Sequence, residues 1–524
     1  MRHTLNKIIC GALAALTMLS AAVSVSAVDF ADPRDGVPAL TGADPYTGED
    51  NLEVPQIRVT TENSNGTELQ KDDGYVNASI AITDTDGSVL SDSCVFKVRG
   101  NTTAMTFILK KAFTFKFEKK KDVLGMGKAK KWALIANTFD PTQLRNELAF
   151  SLADEMGLPY TSQRKYVELW VDGSYRGCYQ LFEPVQEGKE RVDIDIESND
   201  GKKDFMLEYE AQRVEADATY IKIGDLRFVM SEPEEPTEDQ VTYITDTMTD
   251  ILDTVKNGTE QEIAQKLDLD SFVKFYVLNE YLKTFDFDMS SVFFFYKDGV
   301  LYAGPPWDYD LSTGNTNPNL TSSRPKLAYA SDGILQKRNI YRYLCGKPWF
   351  DEMVKDCYAE YFDYIANISA DGGFLDTKRA QYAALFDRNF TYGVYPVNKW
   401  TYNYQLQPKS TYEDNFNYLK NWCAERHAWL VDHWDLTTYS FLRGDADGDG
   451  ELTVVDASLI QRVDAEIIKD TDGMIALRSM VTGDELTILD ATAVQRYMAE
   501  MPDTFGINES VTVHRLPKIQ TTEE

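Results

Sequence analysis

The chain has 524 residues, with 84 acidic side chains against 53 basic ones and a hydrophobic content of 43%. That is enough apolar material for a large buried core and too much for a disordered polymer. A net charge of −31 argues against a nucleic-acid partner, which needs basic surface to displace counterions from phosphates, and disfavours anionic membranes.

At the N-terminus, Arg2 and Lys7 precede an apolar run from Ile8 to Val23, and Val25-Ser26-Ala27 supplies the small residues of a signal-peptidase site. We expect residues 1–27 to be removed and the mature protein to be secreted, in an extracellular or cell-surface setting. No later stretch is long and apolar enough to span a bilayer, so no membrane association is expected after cleavage. Residues 28–53 are rich in Pro, Gly and Asp and are expected to be a linker, with the fold beginning at Val54. The five remaining cysteines (Cys94, Cys178, Cys345, Cys357 and Cys423) are scattered and odd in number, which suits small buried thiols with at most one bridge.

β-Branched or alternating runs follow at 57–61, 75–82, 94–98 and 112–117, split by Asn65-Gly66 and Asp86-Gly87 turns. In the last of them Phe113, Phe115 and Phe117 share one face, and Thr114 and Lys116 the other. Asp140-Pro141-Thr142-Gln143 is expected to open a helix over 144–153 that Gly157 ends. Runs 166–171 and 176–182 flank Asp172-Gly173 as a hairpin. Thr237-Glu238-Asp239-Gln240 is a capping box, and further helical patterns occupy 269–282, 347–368, 376–390 and 412–434. A β-rich part over 54–183 followed by a helical part over 184–436 predicts an α+β domain of two lobes.

Near the C-terminus, Asp445, Asp447, Asp449 and Asp456 hold positions 1, 3, 5 and 12 of a twelve-residue loop, with Gly450 at position 6. This spacing wraps hard oxygens around Ca²⁺, with Glu451 giving a carbonyl and Thr453 standing at position 9. Asp456-Ala457-Ser458-Leu459-Ile460-Gln461-Arg462 recurs as Asp490-Ala491-Thr492-Ala493-Val494-Gln495-Arg496, a tandem loop-helix repeat. Residues 443–502 resemble a dockerin, a small all-α calcium-binding module that docks onto cohesins of a scaffold protein. The resemblance implies a cohesin partner, a cellulosome-type complex, and a docking surface that includes Val454, Val455, Arg462, Ile488, Leu489 and Arg496. The second loop is expected to be one residue short and without the first acidic ligands, leaving one intact calcium site. Residues 503–524 are expected to be a tail.

Hydrolase signatures are absent from the large domain: there is no G-x-S-x-G and no H-E-x-x-H, and the mature histidines are only His427, His433 and His514. A glycosidase acid pair is the least favoured alternative. Instead the chain carries, in order, Arg99-Gly100-Asn101-Thr102-Thr103, Lys110-Lys111-Ala112-Phe113, Asn137 to Asn146, Glu168 to Gly177 and Trp307-Asp308-Tyr309-Asp310. Together these resemble the CotH-type kinase family, related to spore-coat protein H. The resemblance implies a divergent protein-kinase-like fold that uses ATP with Mg²⁺ or Mn²⁺ to phosphorylate protein Ser or Thr.

Such chemistry needs a cation on the phosphates, carboxylates on the metal and an acid near the attacking hydroxyl. Lys116, with Lys111 as the alternative, is the candidate phosphate cation. Arg99 and the backbone after Gly100 are candidates to cradle phosphate, Glu147 to pair with the lysine, and Glu183 to mark the adenine side. Asp308 is the first choice for the metal and Asp310 the second. Asp286 is favoured as catalytic acid, with Asp288 close behind. No His-Arg-Asp, Asp-Phe-Gly or complete G-x-G-x-x-G is present, so a catalytically inactive module that binds protein or glycan is the main alternative.

Overall fold

The computed structural model describes residues 46–516 except 50, 106–107, 109, 197–202, 212–217, 317–324, 334, 336, 392–410 and 484. The predicted leader therefore lies outside the described residues. The described residues form two compact units, one within 46–350 and 365–427, the other within 351–364 and 428–516.

The first unit begins with seven strands: β1 (Gln56–Thr61), β2 (Val76–Thr83), β3 (Val89–Arg99), β4 (Ala112–Asp122), β5 (Lys128–Ile135), β6 (Arg164–Val171) and β7 (Ser174–Phe182). They close into a barrel in the order β1-β2-β3-β4-β5-β7-β6. Six of the strands fall on expected runs, whereas β5 and the closure were not foreseen. Closure comes from parallel pairing of β1 with β6, Gln56 opposite Glu168 through Val59 opposite Val171. Phe96, Phe113, Phe115 and Trp132 fill the interior, as inward alternation requires. At the β6–β7 turn Asp172 and Gly173 both take positive φ, the hairpin geometry that suits this dipeptide. The Asp172 carboxylate accepts from Thr61 N (2.7 Å) and Gly66 N (2.6 Å), pinning the β1–β2 connection.

The predicted linker ends earlier than Val54, because Tyr46 stacks on Trp170 and donates to Glu168 Oε2 at 3.2 Å. The helix expected over 144–153 forms as α1 (Arg145–Glu155), but Leu144 and not Asp140 is its N-cap residue. Asp140 nonetheless accepts from Arg145 N at 2.7 Å, so it satisfies one of the free N–H groups at the helix start from outside the helix.

The part expected to be helical contains a second sheet, of order β12-β11-β8-β10-β9, from β8 (Phe205–Tyr209), β9 (Tyr220–Ile223), β10 (Leu226–Glu232), β11 (Val292–Lys297) and β12 (Val300–Ala303). Its central strands carry buried residues on both faces, such as Phe293 and Phe294. They therefore lack the alternation that marks a half-exposed strand. Helices α2 (Glu238–Asn257), α3 (Glu260–Ala264) and α4 (Leu269–Leu282) lie between β10 and β11 in the chain. The capping box at Thr237 and Gln240 forms as expected. Helix α4 is buried nearly all round and stacks Phe272 on Phe294 at 5.8 Å.

Helices α5 (Tyr341–Leu344), α6 (Pro348–Glu360), α7 (Phe362–Ser369), α8 (Phe374–Gln381), α9 (Ala383–Thr391) and α10 (Tyr412–His433) follow. The two long helices expected over 347–368 and 376–390 are thus each broken in two.

The second unit holds α11 (Val454–Asp464), α12 (Met474–Ser479) and α13 (Ile488–Met498), and a two-stranded sheet of β13 (Tyr439–Leu442) and β14 (Ser510–Val513). Residues 503–516 are therefore part of the unit and not a loose tail. His514 stacks on Phe362 at 3.7 Å and lies 3.1 Å from Asp363. The five described cysteines are all free thiols. No described helix is long and apolar enough to cross a membrane.

Candidate functional site

Three loops of the first unit meet around Trp307-Asp308-Tyr309-Asp310. The segment after α4 runs beside it, with Phe285 N donating to Leu311 O (3.0 Å) and Thr313 N to Leu282 O (2.6 Å). The loop before α1 clamps it from another side. Asn146 Oδ1 accepts from Tyr309 N at 2.9 Å, and Arg145 donates to Ser312 O (3.1 Å) while pairing with Asp140 at 2.6 Å. Asn315 Nδ2 donates to Phe139 O (2.7 Å) and Asp310 O (2.6 Å). Nearly every member of this network is buried, so its polar atoms need one another. That is the physical content of the Asn137-to-Asn146 motif: it holds the aspartate loop in place.

The aspartates experience one another strongly. Burial, and then Asp308, Asp286 and Asp140, push the Asp310 carboxyl well above the ordinary carboxylate range. Asp308 takes a left-handed backbone, φ 65°. Its side chain reaches the surface, yet surrounding protein mass raises its pKa, against the pull of Arg99. Arg99 lies over the Trp307 ring at 5.1 Å, and burial lowers its pKa against the pull of Asp308. Its Nη1 is buried without a hydrogen-bond partner among the described residues. Carboxylates that raise one another's pKa are chemically able to take up a divalent cation, and the guanidinium beside Asp308 to meet an anion. Three carboxylate oxygens within 4.8 Å of one another are not found here; among the described residues only the C-terminal loop has them.

The other expected residues distribute as follows. Asp286 is half-buried and its charge raises the Asp310 pKa, whereas Asp288 is buried and lies 3.5 Å from Arg338. Lys116 is exposed on the outside of the barrel, opposite Lys131. It stands four residues along β4 from Ala112, the neighbour of Arg99, or about 13 Å at the rise of a strand. The Lys111 ammonium is spent on Ala104 O (3.1 Å) and Met105 O (2.5 Å), so it ties down the loop after Arg99, and burial lowers it to about 8.

Glu147 does not pair with either lysine. It binds Arg164 (2.9 Å) and Lys378 (2.7 Å), and these cations outweigh burial and hold its carboxyl low. Glu183 accepts from Gln163 N at 3.0 Å and lies 3.8 Å from Arg191, with burial raising its pKa. Sequence reasoning assigned no role to Asp140, Arg145, Asn146 or Asn315. The first three stood inside a quoted motif, and their burial was the missing signal. A groove of about 560 Å³ lined by Tyr329, Asp414, Tyr418 and Glu425 opens beside the aspartate loop, where Tyr418 donates to Gly314 O at 3.2 Å.

In the second unit the loop expected to bind calcium brings the Asp445, Asp447 and Asp449 carboxylates within 4.8 Å. Asp445 accepts from Gly448 N (2.8 Å) and Gly450 N (2.9 Å), while both glycines take positive φ. Asp456 accepts from Asp447 N (3.3 Å) and Thr453 N (2.7 Å), and Glu451 is exposed. These hard oxygens fit Ca²⁺.

The second loop is not one residue short. Val481 N and Thr487 N donate to Asp490 as Asp447 N and Thr453 N do to Asp456. Ser479, Val481 and Gly483 therefore occupy its positions 1, 3 and 5. Burial raises Asp490, but the backbone bonds and Thr482 outweigh it and lower its pKa, so local donors satisfy it. Val454, Val455, Ile488 and Leu489 are all exposed rather than core, as are Arg462 and Arg496.

Among curated proteins the chain finds no match. The family described as CotH kinase protein matches residues 96–430, from within β3 to within α10, which takes in the Arg99 end of the barrel and the whole aspartate loop. The chain belongs to the CotH kinase protein family.

Proposed function

We propose that the first unit transfers the γ-phosphoryl group of ATP to a Ser or Thr hydroxyl of a protein. The observation that carries this reading is the segment of Asp286 hydrogen-bonded to the aspartate loop through Phe285 N and Leu311 O at 3.0 Å, with Arg99 over Trp307 at 5.1 Å and the charges of Asp308 and Asp286 acting on buried Asp310. Asp308 and then Asp310 are the residues to hold Mg²⁺ or Mn²⁺, which when bound neutralises phosphate charge. Arg99 donates to the phosphates, whereas Lys116, on the outside of the barrel about 13 Å along β4, takes no part. Asp286 accepts the hydroxyl proton as the oxygen–phosphorus bond forms and the bond to the bridging oxygen of ADP breaks. The test is phosphate incorporation, read by mass spectrometry, in secreted acceptor proteins given the chain with ATP and Mg²⁺ or Mn²⁺. Labelling abolished in Asp308→Ala supports the reading; no labelling and no nucleotide binding by calorimetry overturns it.

A second reading, a non-catalytic protein- or glycan-binding module, is favoured by the commitment of Glu147 to Arg164 and Lys378. It predicts ligand capture that survives Asp308→Ala.

The second unit, in our reading, is a dockerin that binds Ca²⁺ at its first loop and presents Val454, Val455, Ile488 and Leu489, with Arg462 and Arg496, to a cohesin. Such a module belongs to an exported protein held on a scaffold. Calorimetric titration of a cohesin panel, with and without a chelator, tests it.

A further inference from the structure

The chain is strongly acidic, yet one hairpin reverses its sign. Between residues 116 and 131 stand seven lysines against only Glu118 and Asp122. On β4 they are Lys116, Lys119, Lys120 and Lys121. β5 and the turn before it supply Lys128, Lys130 and Lys131. Beyond Phe117, β4 no longer pairs with β3, and before Ala133, β5 has no partner in β7. The lysines therefore line a lip, the end of the β4–β5 hairpin where the register breaks between Lys116 and Lys121, while Val123 and Met126 at its turn pack into the barrel core.

Lys121 pairs with Asp92, and Lys131 approaches Glu234 at 3.7 Å. The rest form no ion pair among the described residues. Lys116 and Lys131 face each other directly across the strands, a like-charge pairing that is destabilising.

We propose that this lip docks an acidic polypeptide segment. Charge complementarity is carried by lysines alone, mobile point charges that the carboxylates of an extended chain can meet without a fixed geometry. No large hydrophobic or aromatic side chain is exposed on the lip, so there is no platform for stacking a sugar ring or a base. The charge of the whole chain opposes any polyanion, so the attraction acts only within about 8 Å at physiological salt. Docking is independent of phosphoryl transfer.

The test is fluorescence anisotropy of labelled poly-L-glutamate titrated with the full chain at about 0.05 and about 0.15 M salt. Binding that weakens with salt is expected. The variant K119Q/K120Q/K128Q/K130Q should bind roughly tenfold more weakly, while the matching Lys→Arg variant retains affinity. Should the four-site Gln variant aggregate, K119Q/K120Q and K128Q/K130Q are each expected to show part of the loss. No binding by the wild-type chain, or equal affinity in the folded Gln variants, overturns the proposal. Tighter binding of polygalacturonate than of polyglutamate also overturns it, in favour of an acidic polysaccharide.

Discussion

Asp310 sits among carboxylates that cannot all ionise cheaply without a compensating cation. Its replacement by Asn removes the charge while leaving the hydrogen bonds of its backbone carbonyl intact. Asp310→Asn should therefore fold, lose the thermal stabilisation that Mg²⁺ or Mn²⁺ with ATP gives the wild type, and cut phosphate incorporation by about a hundredfold. Stabilisation by the metal nucleotide that survives in the variant would remove Asp310 from the site.

A second buried group, Lys110, makes a different prediction. Its ammonium donates to Cys178 O (2.6 Å) and Asn389 Oδ1 (3.1 Å). Burial lowers its pKa to about 7, with Cys178 opposing and Arg176 reinforcing the shift. From about 7 up to the ordinary value near 10.4, the unfolded chain binds the proton and the folded one does not, so stability rises with pH across that window. Below it both states are protonated and the penalty is constant. Urea midpoints of the wild type should climb between pH of about 7 and about 9, by at most about 1.4 kcal/mol per unit from this lysine. Lys110→Met should flatten the climb, with a residue left by Lys111, and an unchanged slope would refute the assignment. At this scale the sequence disclosed residue types and motif membership but not partners. Glu147 was expected to pair with Lys116 or Lys111, and it meets Lys378, 231 residues away.

Elements were legible in proportion to how unevenly they are buried. The barrel strands alternate because one face meets the core and the other meets water or a neighbour, and β4 announces this with three phenylalanines. Strands β8 and β11 are covered on both faces and so read as featureless apolar runs. The same burial hides what α1 does. Arg145 and Asp140, 2% and 0% exposed, form the joint between the start of α1 and the aspartate loop. Removing one charge strands the other in the interior, so Arg145→Met should destabilise the first unit by about 3–5 kcal/mol in urea unfolding. Asn146→Leu leaves Tyr309 N unpaired and should cost about 1–3 kcal/mol. If Asn146 only supports the fold, nucleotide affinity stays unchanged under conditions where the variant is native. If it orients Asp308, affinity falls there too.

For the whole chain, the two units differ in what holds them. The first has an extensive core, whereas the cluster within the loop-helix repeat comprises Ala446, Ala457, Ile460, Ala491, Ala493, Val494 and Ile507, a small apolar body by the measure of independent domains. Against that core stand three carboxylates within 4.8 Å of one another, one of them buried. Their repulsion opposes folding until a cation relieves it. Calcium should thus raise the unfolding temperature of the second unit and leave that of the first unmoved. At a free concentration of about a hundred times Kd the gain is about 2.7 kcal/mol. Asp445→Asn and Asp447→Asn should each shrink the calcium response; Asp447 accepts through one oxygen only, so its chelated variant should melt no lower than the chelated wild type, whereas Asp445→Asn also loses one of its two backbone donors and melts lower in chelator. Asp490→Asn provides the contrast: its carboxylate is held by backbone N–H groups and Thr482, so its loss should destabilise the unit equally with and without calcium. Scanning calorimetry of the full chain in calcium and in chelator distinguishes these patterns, and a calcium response that follows Asp490 rather than Asp445 would reverse the roles given to the two loops.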